Sequence, residues 1–86
     1  MLTQILLNLL SYCEPHISEE MIFSTSDNFS EILASNRLRI NIHNPLKTII
    51  CHFVVDISSG EILTQKLISR DLETGAMEMR DLNYLN

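Results

Sequence analysis

The chain has 86 residues, 45% of them hydrophobic, with two glycines and two prolines, a composition that excludes an intrinsically disordered or low-complexity protein. A single domain of this length buries roughly 60% of its unfolded surface, enough for a small core without a covalent staple. Eleven acidic and six basic residues give a net charge of −5, so the basic footprint of a direct nucleic-acid binder is missing.

The expected organisation is a single domain over 1–86, with 1–36 mainly helical and acidic and 37–86 mainly β. The charge divides in the same way. Residues 1–36 hold Glu14, Glu19, Glu20, Asp27 and Glu31 without a lysine or arginine, while residues 37–86 hold six acids and six bases. An acidic surface of this kind keeps a small domain soluble, and it also suits a basic protein partner.

Leu2, Ile5, Leu6, Leu9, Leu10 and Cys13 recur at the spacing of one helix face, with Thr3, Gln4, Asn8 and Ser11 opposite and Leu7 astray among them. This predicts an N-terminal amphipathic helix. Pro15 ends it, because the residue before a proline is pushed out of helical space. The apolar start has no basic residue ahead of it and no small-residue cleavage site, and it is too short to cross a bilayer. A cytoplasmic protein with no membrane partner is therefore expected.

Gln4-Ile5-Leu6-Leu7-Asn8-Leu9-Leu10-Ser11 resembles the N-box helix of sensor histidine kinases. Tyr12-Cys13 stands where that family has Asn-Ala. Gly60 and Gly75 are the only glycines, so the glycine-rich nucleotide loops are missing. The likeness covers about a tenth of the chain and implies no kinase.

Residues 17–25 fit two descriptions. Ser18-Glu19-Glu20 suits the first turn of a short helix, and Met21 to Thr25 suits a short strand. Asn28-Phe29-Ser30-Glu31 then fits a capping box, predicting a second short helix of about two turns to Asn36, with Phe29, Ile32 and Leu33 as its apolar face. No internal repeat or linker interrupts the chain.

From Arg37 to Ile68 the pattern is β. Leu38, Ile40 and Ile42 alternate with Arg37, Arg39, Asn41 and His43, the signature of a strand with one buried face. Thr48 to Ile57 is almost wholly apolar or β-branched and reads as a central strand. A turn at Pro45-Leu46 places Ile42 opposite Ile49, Ile40 opposite Cys51 and Leu38 opposite Phe53, with Arg39 opposite His52. A three-residue loop closed by Gly60 pairs Ile57 with Glu61, Val55 with Leu63, Cys51 with Leu67 and His52 with Lys66. The apolar side chains then share one face. The other carries Arg37, Arg39, Asn41, His52, Asp56, Thr64 and Lys66, with Ile50, Val54, Ile62 and Ile68 among them.

In the tail, Leu72, Ala76, Met79 and Leu82 have helical spacing, but Glu73-Thr74-Gly75 resembles a turn. A glycine inside a helix costs about 1 kcal/mol, which favours a fourth strand hairpinned to the third. The predicted fold is thus α+β: an N-terminal amphipathic helix and a second short helix packed on one face of a three- or four-stranded antiparallel β-meander.

The residue types that could carry chemistry do not converge. Cys13, His16, His43, Cys51 and His52 are the possible zinc ligands, but Cys51 and His52 are strand neighbours on opposite faces, and the spacing matches no finger. Cys13 and Cys51 are expected to touch as small core residues, reduced and metal-free. Ser58 or Ser59, Asp56 and His52 cannot form a triad, since His52 lies roughly 20 Å back along its strand at ~3.3 Å per residue. Asp56 is the acceptor of its own turn.

The expectation is a small non-catalytic protein-binding module (adaptor, subunit or inhibitor) with no cofactor and no metal. Its candidate partner-binding residues are Glu14, Glu19, Glu20, Asp27 and Glu31 on an acidic helical face, and Arg39 and His52 on the polar sheet face. Exposed sheet edges also suit a homodimer. The alternatives are an inhibitor from a phage or mobile element that occupies a nucleic-acid-binding surface, and a small Cys/His metal-dependent regulator or enzyme.

Overall fold

The structure, a computed structural model, describes residues 2–25 and 35–82. It is α+β. Among the described residues one helix, α1 (Leu2–Cys13), precedes five strands: β1 (Ile22–Thr25), β2 (Arg37–His43), β3 (Ile49–Asp56), β4 (Ile62–Arg70) and β5 (Met77–Asp81). They form one antiparallel sheet in the order β1-β2-β3-β4-β5. The sheet therefore has five strands rather than three or four, because Ile22–Thr25 pairs with β2 and adds an edge. The tail forms the strand that Gly75 favours. The second helix, with Phe29, Ile32 and Leu33, falls in a stretch that lies outside the described residues.

The apolar stripe of α1 seats on one face of the sheet. Ile5, Leu9 and Cys13, followed by Ile17, join Leu38, Ile40, Ile42, Cys51, Phe53, Val55, Leu67 and Leu82 in one buried cluster. Leu6 packs at its margin and Leu7, the stray leucine, is exposed. Tyr12 meets Phe53 edge-on, with ring centroids 6.2 Å apart. The alternation of β2 and β3 thus points the expected side chains at the helix.

The register within that face differs from expectation. Ile42 pairs with Cys51, Ile40 with Phe53 and Leu38 with Val55, a shift of two residues that keeps every side chain on its expected face. The cause is a four-residue loop, 45–48, in place of a two-residue turn. Asn44 is buried, and its side-chain oxygen accepts the N–H groups of Thr48 and Ile49 at 2.9 and 3.1 Å. Its own carbonyl accepts the N–H of Lys47, which sits at φ 56°. These bonds satisfy a longer loop whose amides would otherwise lack partners.

The β3–β4 loop is also longer than expected. Asp56, not Ile57, pairs with Glu61, leaving four loop residues with Gly60 at φ 79°. The extra residue is taken up by a bulge at Val54/Val55, beyond which Cys51 faces Leu67 and His52 faces Lys66 as expected. The bulge exchanges two side chains. Ile62 pairs with Val55 and packs on the core, while Leu63 is 40% exposed.

The same loop closes β4 and β5. Asp71 binds the N–H groups of Glu73 and Thr74 as Asp56 binds those of Ser58 and Ser59. Gly75, at φ 75°, donates to the Asp71 carbonyl as Gly60 does to that of Asp56. Asp56-Ile57-Ser58-Ser59-Gly60 and Asp71-Leu72-Glu73-Thr74-Gly75 are one turn design used twice.

Candidate functional site

Among the described residues, the single helix covers one face of the sheet and no other element lies on the opposite face. That outer face is ordered in rows set by the pairing of adjacent strands. Ile22, His43, Ile50, Ile68 and Met79 stand opposite one another in succession, one from each strand. The next row is Ser24, Asn41, His52, Lys66 and Asp81. The third holds Arg39, Val54 and Thr64, and Arg37 faces Asp56 beyond it.

A row that is apolar on four of the five strands, with the buried His43 as its β2 member, therefore runs beside a polar one. Ile50, Val54 and Ile68 are half-buried by their neighbours, whereas Met79 is 66% exposed. In the polar row, His52 Nδ1 lies 2.7 Å from the Asn41 side-chain oxygen and Lys66 Nζ lies 2.5 Å from Asp81 Oδ1. Both contacts join neighbouring strands, β2 to β3 and β4 to β5.

The candidate residues do not form one site. Arg39 and His52 share the outer face, but Arg39 stands opposite Val54, and His52 opposite Asn41, because of the two-residue shift. Glu14 follows α1, on the layer that covers the other face, and is exposed. Glu19 and Glu20 are exposed in the connection to β1, where Glu19 accepts a hydrogen bond from the Asn44 side chain at 3.2 Å. Asp27 and Glu31 lie outside the described residues. Ile22 and Met79, at the two ends of the first row, were not among the candidate residues, because each belongs to a short edge strand whose place in the sheet the alternation does not give.

The chemistry-bearing types are dispersed. Among the described residues no group of three or more His, Cys, Asp or Glu side chains comes together as a metal centre. Cys13 and Cys51 are both fully buried and meet across the helix–sheet boundary. A hydrogen bond to Cys51, together with burial, pushes the Cys13 thiol up, so it is neutral at physiological pH. Asp56 binds the Ser58 hydroxyl at 2.6 Å within its own turn. That hydroxyl, then the N–H groups of Ser58 and Ser59, hold its carboxyl below the usual carboxylate range.

An apolar groove of about 330 Å³ opens between α1 and the β1 side of the sheet, lined by Leu6, Phe23, Ser24, Thr25, Leu38 and Ile40. No described helix is long and apolar enough to cross a membrane. No protein-family model, curated protein or solved structure matches the chain.

Proposed function

We propose that the chain is a small non-catalytic protein-binding module whose docking surface is the outer face of the sheet. The observation that carries this reading is the apolar run of Ile50, Ile68 and Met79 across β3, β4 and β5, with Ile22 on the far edge beyond the buried His43 of β2, bordered by a partnered polar row. A domain stacks layers to bury apolar faces, and here one face has a helical layer while the other has none among the described residues. Apolar centres with polar margins are the anatomy of protein interfaces. The partner that fits is an amphipathic helix of another protein, laid over the row as α1 is laid over the opposite face.

A second reading places the partner on the acids. Glu14, Glu19 and Glu20 are exposed close together in sequence, and a negative field there attracts a basic protein. Both the adaptor and the mobile-element inhibitor act through one of these two surfaces.

One experiment separates them. The wild-type chain, Ile50→Thr/Ile68→Thr and Glu19→Lys/Glu20→Lys are used to capture partners from the native host, and binding kinetics are measured at low and high salt. Threonine keeps strand propensity but removes apolar contact. The sheet-face reading predicts loss of the partner by the threonine variant and little effect of salt. Retention by that variant, with an on-rate that falls in salt and in the lysine variant, moves the site to the acids. Wild-type chain that captures nothing contradicts both.

A further inference from the structure

Among the described residues β5 is an edge strand with β4 as its one neighbour in the sheet, and all five of its residues are exposed. Its backbone parity is fixed by two hydrogen bonds, Asp71 N–H to the Ala76 carbonyl and Leu82 N–H to the Gln65 carbonyl. In an antiparallel ladder hydrogen-bonded pairs alternate with non-bonded ones. Glu78 and Arg80 therefore bond to β4, and the N–H and C=O groups of Met77, Met79 and Asp81 point to the outer edge.

We propose that this edge pairs with β5 of a second copy of the chain, antiparallel about a two-fold axis at Met79, joining two sheets into one of ten strands. The charge pattern selects that register. With Met79 on the axis, Glu78 faces Arg80 of the second copy and Arg80 faces its Glu78, in the non-hydrogen-bonded positions where side chains approach most closely. An axis at Glu78, Arg80 or Asp81 sets identical charges opposite each other. An axis at Met77 carries the pairing into the turn at Gly75.

Two further features agree with it. The outward amides of Met77, Met79 and Asp81 all find partners in the Met79-centred register. The apolar run of Ile50, Ile68 and Met79, the last 66% exposed, also continues into the same run of the second copy. β5 contains no proline and no bulge, and two of its three charges, Glu78 and Arg80, are paired rather than repelled in this register. The opposite edge, β1, is four residues long and has no charge to select a register. This inference rests on the edge and not on the docking of another protein to the face.

The test is sedimentation equilibrium of the full chain from roughly 1 μM to 1 mM, for wild type, Glu78→Arg, Arg80→Glu and the double reversal. The expected result is a concentration-dependent wild-type dimer. Each single reversal turns two attractive pairs into repulsive ones and weakens it about tenfold or more. The double reversal restores it, because acid again faces base. Met79→Pro supplies a check on the backbone. Its lost N–H points outward, so it leaves the β4 ladder intact and abolishes the dimer while the far-UV spectrum is kept. A wild-type chain that stays monomeric throughout, or single reversals that dimerise as wild type does, overturns the proposal.

Discussion

Three side chains, Asn44, Asp56 and Asp71, hold the hairpin turns through their oxygens. Asn44 accepts two backbone N–H groups, and its amide donates to the Thr48 hydroxyl at 2.6 Å and to Glu19. Asn44→Ala strips partners from half-buried amides and should cost about 1–3 kcal/mol in chemical denaturation. Asp56 offers a pH test. Its folded pKa lies below the ordinary value, so its contribution to stability is complete above the ordinary carboxylate range and is lost as pH falls through the folded value. Asp56→Asn should therefore lower the urea midpoint at neutral pH, and the gap to wild type should close as pH falls below the ordinary carboxylate range. Asp56 was legible as a turn acceptor because its carboxylate precedes Ser58, Ser59 and Gly60. Asn44 was not, because Asn-Pro announces a turn without stating how many residues the buried amide will hold.

At the scale of elements, periodicity fixes faces and leaves register open. Leu38, Ile40 and Ile42 face α1 in either pairing with β3, since a two-residue slip returns each side chain to the same side. Loop length decided the pairing, and it depended on Asn44. The exchange of Ile62 and Leu63 has the same origin, because neither the fourth loop residue nor the bulge that absorbs it leaves an apolar signature. β1 was ambiguous for a different reason. All four of its residues are exposed, so no alternation marks it. The helix was legible at full strength, and its central residue gives a direct measure of its role. Leu9 is fully buried, and Leu9→Ala should cost about 2–5 kcal/mol in urea denaturation. A loss under about 0.5 kcal/mol would mean that α1 is peripheral to the fold.

At the scale of the molecule, the proposed function rests on an asymmetry, among the described residues, between the two faces of one sheet. One face is closed by α1 over Cys51, Phe53 and Leu67, and the other presents Ile50, His52 and Ile68 from the same strands. The sequence carried this contrast in the half-polar character of alternate positions, but the five-strand row became visible only when both edge strands were placed. The native thiols are a built-in control, because Cys13 and Cys51 lie in the closed layer and Cys51 pairs with Leu67, the neighbour of Ile68. The decisive measurement is the labelling rate of Ile68→Cys with a chromogenic thiol reagent under native conditions. The introduced thiol should react rapidly while Cys13 and Cys51 wait for unfolding. Slow reaction at position 68, or native cysteines that react as fast as it does, would contradict a sheet closed on one face and open on the other.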